Sequence, residues 1–150
     1  MKVLIQRVSH ASVTVAGVTV GRIDRGLLAL VGMEPDDDES VIEHMAHKLL
    51  HFRMFADDAG KMNLNVQQIE GGLLLVSQFT LAADTRKGLR PSFTSAAEPA
   101  MAEQGFNQLV AAVTHRYPQV ATGQFGADMS VNLTNDGPVT FLLEVQGGHK

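Results

Sequence analysis

The sequence predicts one α/β domain in which two amphipathic helices pack on a sheet or a pair of sheets. Its 150 residues suit a single domain. About eight short apolar segments, separated by Gly, Pro, Asn and Asp, are typical of strands. Two longer segments carry apolar residues at the 3.6-residue period of a helix.

Composition limits the class of protein. Hydrophobic residues make up 45% and charged residues 19% of the chain, which is typical of a globular domain rather than a disordered one. No apolar run approaches the roughly 20 residues that span a bilayer, so no membrane partner is expected. The first seven residues read as a strand and not as a signal peptide. The absence of cysteine excludes disulfides, and a cytoplasmic protein is the simplest inference.

The net charge of −4 lacks the basic footprint of a general nucleic-acid binder. A polyanionic ligand would therefore need a local cationic patch. Arg86, Lys87 and Arg90 are the best candidates, because three cations fall within the nine residues 84–92. Solvation of an exposed loop explains these residues equally well.

Strands account for the apolar residues of the first quarter of the chain. Alternating residues between 3 and 23 predict more than one strand, with Ala16-Gly17 as a turn. Residues 26–33 are apolar throughout and predict a strand buried on both faces. Pro35 follows the end of that strand.

The acidic residues 36–39 allow two interpretations. Clustered carboxylates can bind a divalent metal. Acidic residues also cap helix N-termini, where they accept from free N–H groups and offset the dipole. The cap is favoured, because a helical pattern follows from about 39 to 52 with Val41, Ile42, Met45, Leu49 and Phe52 on one stripe.

Histidines form a second stripe on this helix. His44, His47 and His51 are three and four residues apart, and three imidazoles could hold zinc for a metal-dependent hydrolase. However, one helix rarely supplies three convergent ligands, and the HExxH pattern is absent. Solvated surface histidines are the favoured interpretation, and no metal is expected.

A second apolar strand, residues 73–81, turns polar at its C-terminal end, where ligands commonly bind. Ser77, Gln78 and Thr80 provide hydroxyls and an amide there, without an acid or a base. The chain has no P-loop, no GxGxxG and no GxSxG elbow, so no nucleotide cofactor is expected.

The C-terminal half continues with a helix and three strands. Ser95 and Glu98 fit a capping box, with Pro99 in the first turn of a helix that ends near Arg116. Strands are predicted at about 119–125, 128–135 and 139–146, and a tight turn at 134–140 separates the last two. On frequency alone the Gly-Pro bond in this turn is expected to be trans, since only about 5–6% of X–Pro bonds are cis.

Two stretches together resemble a known family. Residues 77–81, Ser-Gln-Phe-Thr-Leu, and residues 135–140, Asn-Asp-Gly-Pro-Val-Thr, are similar to the two signature motifs of the D-aminoacyl-tRNA deacylases, the D-tyrosyl-tRNA(Tyr) deacylase family. The likeness extends over 5–8, 60–63 and 90–93 and so covers about residues 1–146. Gln124 departs from the arginine expected there. Residues 147–150 have no counterpart and are expected to form a disordered tail.

The resemblance implies a fold, an assembly and a site. The fold is a layered or barrel-like arrangement of mostly antiparallel or mixed β-sheets, with the two main helices on one side. The assembly is a homodimer in which a cis Gly137–Pro138 bond enters the partner's pocket. The implied catalytic segment is Ser77, Gln78, Phe79 and Thr80, and the implied chiral filter is Gly137, Pro138, Arg7, Met129 and Phe125. For a tRNA substrate, the cationic patch Arg86, Lys87 and Arg90 is the candidate for contacts with the RNA.

The resemblance also implies hydrolysis of the ester in D-aminoacyl-tRNA. A backbone wall would reject L side chains, the RNA 2′-hydroxyl would assist the chemistry, and Phe79 and Thr80 N–H groups would hold the ester oxygen. Thr80 as a covalent nucleophile is the lower-ranked alternative. Such a wall cannot exclude glycine, so glycyl-tRNA is expected to be cleaved. The competing functions are the metal-dependent hydrolase and a non-catalytic nucleic-acid-binding module.

Overall fold

A computed structural model describes residues 1–147. Eight strands lie in this range: β1 Lys2–Val15, β2 Val18–Ile23, β3 Gly26–Gly32, β4 Phe55–Ala56, β5 Met62–Leu64, β6 Gly72–Ser77, β7 Val120–Thr122 and β8 Ser130–Glu144. The helices of the described range are α1 Glu39–His51, α2 Pro99–Arg116 and a 3₁₀ turn, Phe79–Ala82.

Six strands form one mixed sheet around β1. The strand order is β2-β1-β3-β6-β7, and β8 also pairs with β1. Pairs that include β1 are antiparallel, whereas β3–β6 and β6–β7 are parallel. The sheet curls until β2 approaches β7, so closely that a Cβ added to Gly21 would overlap the carbonyl of Thr122. The result is an α/β domain, as the residue pattern predicts, with a nearly barrel-shaped sheet, as the resemblance implies.

Hydrophobic cores lie on both faces of β3 and β6. Leu27, Leu73 and Leu75 face α1 and α2 in the larger core. Leu28 and Leu74, which point the other way, belong to a smaller core inside the curl of the sheet. Because successive strand residues face opposite sides, this arrangement explains the uninterrupted apolar runs in both strands. Both helices lie on the same side of the sheet.

The acidic segment before α1 has a structural role. Asp38 is the N-cap, and its Oδ1 accepts from Val41 N at 3.0 Å, which confirms the predicted cap. The Met1 ammonium donates to carboxylate oxygens of Glu34 and Asp37, each at 2.7 Å. Burial raises the pKa of Asp37. These acidic side chains are therefore engaged within the fold.

The predicted capping box of α2 is wrong. The helix begins at Pro99 after Glu98, and no side chain caps it. Ser95 Oγ donates instead to the carbonyl of Ala82 at 2.6 Å. The serine therefore ties the segment before α2 to the end of the 3₁₀ turn.

The predicted strand over 73–81 ends at Ser77. Gln78 N still donates to Val31 O at 2.8 Å, but Leu81 N donates to Gln78 O, which closes a turn. The turn packs over Gly32, where an added Cβ would lie 2.9 Å from Leu81 Cβ. The apolar run continues because Leu81 packs on a glycine, not because the strand continues.

The predicted tight turn at 134–140 between two separate strands is also wrong. β8 is one strand that pairs with β1 on both sides of this segment, from Thr14↔Ser130 to Lys2↔Glu144. Between the pairs Val8↔Asn135 and Gln6↔Thr140, the four residues 136–139 face the single residue Arg7. The turn-forming residues therefore produce a bulge in a continuous strand. We call residues 136–139 the bulge.

Two other sequence expectations concern the C-terminal end of the chain and its relation to membranes. A Cβ on Gly147 would overlap the backbone of Asp36, so this residue packs on the domain. The remainder of the predicted tail, 148–150, lies outside the described residues. Within residues 1–147, neither helix combines the length and the apolar character needed to cross a membrane.

The pairing of Gly26 with Gly72 generates a stability prediction. A Cβ on Gly26 would overlap the Gly72 carbonyl and lie 2.6 Å from its nitrogen. Gly26→Ala should therefore lower the free energy of unfolding by about 3 kcal/mol, measured by urea denaturation. Gly17→Ala is the control, because a Cβ added to Gly17 would meet open space. Its only cost is the left-handed φ of 79°, so the free energy of unfolding should fall by no more than about 1 kcal/mol. Equal losses would contradict the packing argument.

Candidate functional site

A cavity of about 690 Å³ opens at the C-terminal end of β6. This volume lies within the range of small-molecule sites. The wall combines the end of β6, the segment that leads into α2 and the loop before β8. The lining residues are 76–79, 93, 96–99, 102, 125–129 and 131.

Three of the four residues predicted as the catalytic segment line this cavity: Ser77, Gln78 and Phe79. Thr80 follows directly in the 3₁₀ turn. Gln78 Nε2 donates to Thr80 Oγ1 at 2.7 Å, the one side-chain hydrogen bond of that hydroxyl within residues 1–147. Since an amide does not accept a proton, this contact does not activate Thr80 as a nucleophile.

Arg7 fixes the bulge to the rest of the fold. Its Nε donates to Asp136 O at 3.0 Å, and its Nη1 donates to Met54 O at 3.1 Å. Asn135 Oδ1 accepts from Val139 N at 3.0 Å, which closes the bulge from its other side. The Arg7 side chain is only 16% exposed, so its guanidinium is held between two backbone segments.

The centre of the bulge admits only glycine at position 137. Gly137 has φ 140°, and an added Cβ would lie 2.6 Å from Val139 Cγ2 and 2.9 Å from Val139 N. The Gly137–Pro138 bond is cis, not the trans bond expected from residue frequencies. Both residues are exposed to solvent in the single chain. The backbone of the bulge is thus exposed on the single chain and held by the hydrogen bonds of Arg7 and Asn135.

The predicted chiral filter divides into two groups. Phe125 and Met129 line the cavity, and Phe125 also packs on Phe106 of α2. Arg7, Gly137 and Pro138 do not line it. A single chain therefore does not bring the bulge and its own cavity together.

The three predicted tRNA-contact residues lie on the exposed segment between the 3₁₀ turn and α2. Arg86 is paired with Asp84, to which it donates from Nε at 3.0 Å and from Nη2 at 2.8 Å. These hydrogen bonds lower the pKa of Asp84. Within the described chain, Lys87 and Arg90 have no carboxylate within 4.0 Å.

The histidine stripe of α1 does not form a metal site. His47 and His51 stack with ring centroids 4.1 Å apart, and His51 Nδ1 lies 2.9 Å from the carbonyl of His47. No group of three His, Cys, Asp or Glu residues between positions 1 and 147 is arranged to hold a metal ion. The metal-dependent hydrolase is therefore not favoured.

Several cavity residues escaped the sequence analysis. Phe93 lines the cavity and packs on Phe79 with ring centroids 5.2 Å apart. Glu98 and Asp128 place two carboxylates on the wall. The local sequence predicts a capping role for Glu98, and no local pattern distinguishes Asp128 from an ordinary acidic loop residue. Only the fold brings these segments together.

Comparisons with known proteins agree over nearly the whole chain. A family model described as D-Tyr-tRNA(Tyr) deacylase matches residues 4–144. A D-aminoacyl-tRNA deacylase of Ectopseudomonas mendocina is 64% identical over 145 residues, which cover 97% of this chain and 100% of that protein. One of Azotobacter vinelandii is 65% identical over 144 residues, with 96% and 99% covered.

Solved structures show the same fold. The c-Myc DNA unwinding element binding protein superposes with a TM-score of 0.94 at 39% identity, covering 98% of this chain and 100% of the other. A probable eukaryotic D-amino acid tRNA deacylase gives 0.80 at 18% identity, with 96% and 98% covered, a likeness of fold alone. On the family match and these identities, the chain belongs to the D-Tyr-tRNA(Tyr) deacylase family.

Proposed function

We propose that this protein hydrolyses the ester bond of D-aminoacyl-tRNA and releases the free D-amino acid and the tRNA. Family membership supports the reaction class. The observation that carries the proposal is the cavity of about 690 Å³ lined by the Ser77–Phe79 segment, a volume suited to an aminoacyl-adenosine end. The proposal includes a cytoplasmic location and a functional domain that spans residues 1–146.

The chemistry relies on positioning. An aminoacyl ester is already activated, and the ribose 2′-hydroxyl beside it can orient or activate the attacking water. Phe79 and Thr80 begin the 3₁₀ turn, so their N–H groups have no acceptor within that turn. Directed at the ester carbonyl, these donors would stabilise the oxyanion of the tetrahedral intermediate. Ser77 and Gln78 complete the wall beside them.

The backbone of the bulge distinguishes D-aminoacyl from L-aminoacyl substrates. The carbonyls of Gly137 and Pro138 occupy the side where an L side chain would point, and they accept from the substrate ammonium. The hydrogen bonds of Arg7 and Asn135 would hold the backbone of the bulge in position against an L side chain. Because rejection comes from a clash on one side of Cα, D side chains of many shapes are accepted on the other.

The wall and the cavity come from different chains in this proposal. Gly137 and Pro138 are exposed and lie outside their own cavity, so a homodimer would bring each bulge into the partner's cavity. The long strand β8 supports such a partner, because within residues 1–147 it pairs with β1 alone. Its unpaired edge and half-exposed Leu142 are suited to contact with another chain.

Matched D- and L-tyrosyl-tRNA provide the test of the function. The purified protein should release D-tyrosine at least about 100-fold faster than L-tyrosine, since a steric wall worth about 3 kcal/mol gives that ratio. Loss of radiolabelled amino acid from the tRNA measures both rates. Equal rates would contradict chiral selection, and no release from either substrate would contradict the activity.

Glycyl-tRNA extends this test. It should also be cleaved, because glycine presents no side chain to the wall. Inert glycyl-tRNA alongside cleaved D-tyrosyl-tRNA would mean that the cavity requires a side chain.

The Thr80→Ala variant distinguishes catalysis by the RNA hydroxyl and backbone N–H groups from covalent catalysis by the Thr80 hydroxyl. If the RNA hydroxyl and backbone N–H groups supply the chemistry, kcat/KM for D-tyrosyl-tRNA should stay within about tenfold of the unmodified protein. A nucleophile would instead leave a loss of about 10⁴-fold or more. Thr80→Ser is the control, because it keeps the hydroxyl that contacts Gln78. Near-complete loss in the alanine variant alone would restore Thr80 as the nucleophile.

A further inference from the structure

The segment from Asp84 to Phe93 forms a loop whose two ends lie at the rim of the cavity. We call it the rim loop. Asp84 N donates to Ser92 O at 2.7 Å, and Ser92 N donates back to Asp84 O at 3.0 Å, so the loop is closed at its base. Phe93, its last residue, lines the cavity, and the 3₁₀ turn ends two residues before Asp84. Whatever binds the rim loop is therefore adjacent to the cavity.

Charge on the rim loop is concentrated at two side chains. Arg86 is neutralised by the two hydrogen bonds that it donates to Asp84. Lys87 and Arg90 are exposed and, within the described chain, have no carboxylate partner within 4.0 Å. At about 3.6 Å per residue, their Cα atoms lie within about 11 Å and 7 Å of the loop base. Two available cations thus stand beside the cavity of a chain whose net charge is −4.

Two exposed aromatic side chains line the cavity next to the rim loop. Phe79 is 55% and Phe93 is 43% exposed, although both are large apolar residues. Their rings pack on each other at 5.2 Å with an interplanar angle of 54°. A cationic track next to exposed aromatic rings is the combination by which proteins bind single-stranded nucleic acid, through phosphates and base stacking.

We propose that the rim loop binds the single-stranded 3′ end of the tRNA just before its terminal nucleotide, with Lys87 and Arg90 on backbone phosphates and the Phe79–Phe93 pair stacked on a base. This inference rests on the proposed deacylase function and specifies which part of the substrate is held outside the cavity. Arg86 is excluded from the contact, because its guanidinium is occupied by Asp84. The bound segment guides the ester towards Ser77 and Gln78.

Binding of uncharged tRNA tests the inference without catalysis. Lys87→Gln combined with Arg90→Gln should make the slope of log affinity against log salt less steep by about 1.4, as expected for two single-strand phosphates. Between 50 and 200 mM salt, the variant should lose about sevenfold less affinity than the unmodified protein. With tRNA that lacks its last four nucleotides, the two proteins should have the same slope. Equal slopes on intact tRNA would overturn the proposal.

Arg22→Gln and Arg86→Gln are the matched controls. Arg22 lies near Gly26 and Gly72, at the other end of β3 and β6, and Arg86 is the paired cation of the same loop. Both variants should keep the salt slope of the unmodified protein. A slope change of about 0.7 in Arg22→Gln, the same per removed charge as in the double variant, would show diffuse electrostatics and contradict a built contact.

Phe93→Ala should weaken binding of intact tRNA about tenfold, whereas Phe93→Tyr should retain it, because only the alanine removes the stacking surface. Equal affinities of both variants and the unmodified protein would remove the stacking contact from the proposal.

Catalysis separates this inference from the function on which it rests. The double variant should show a raised KM and an unchanged kcat on D-tyrosyl-tRNA, and unchanged hydrolysis of D-tyrosyl-adenosine, which lacks the RNA segment. If neither the variant nor the unmodified protein cleaves either ester, the proposed function fails. If both cleave D-tyrosyl-tRNA with the same KM, the function stands and the rim-loop contact fails.

Discussion

The contact between Arg7 and the backbone of the bulge is the constraint on which the proposed site depends. β8 pairs with β1 along its whole length, but four residues must fit opposite one. Without an anchor, such a bulge would be free to adopt several shapes. Arg7 binds it through Asp136 O and binds the chain after α1 through Met54 O. One side chain, whose donors have a fixed planar geometry, thus fixes the backbone of the bulge relative to the segment after α1.

The composition of the cavity wall indicates which part of the chemistry the protein would supply and which part the substrate would supply. The wall has one hydroxyl, an amide, aromatic rings and two carboxylates, but no histidine. The Thr80 hydroxyl beside it has an amide and not a base as its hydrogen-bond partner. Such a wall suits a substrate that brings its own activated ester and neighbouring hydroxyl. In the proposed mechanism, recognition of the substrate therefore falls to backbone groups. A backbone wall rejects one configuration at Cα and stays indifferent to the side chain on the other side.

Local signals in the sequence predicted α1 and the buried strands well. The Asp38 cap and the apolar stripe act within a few residues, so the sequence contains all the information they need. The predicted strand over 73–81 is too long, because apolar residues that pack over Gly32 give the same sequence pattern as a continuing strand. Turn formers at 134–140 indicated a change of direction but not that β1 would pair on both sides of it. The cavity was least predictable, since Phe93, Glu98 and Asp128 meet only through the fold.

In the proposed mechanism, the bulge held by Arg7 distinguishes D from L substrates. The direct measurement is the ratio of kcat/KM for D- and L-tyrosyl-tRNA in Arg7→Met, because this ratio does not depend on the fraction of folded protein. Loss of the two anchoring hydrogen bonds should loosen the wall and reduce the D-to-L ratio at least about tenfold. An unchanged ratio would contradict the account, even if both rates fell.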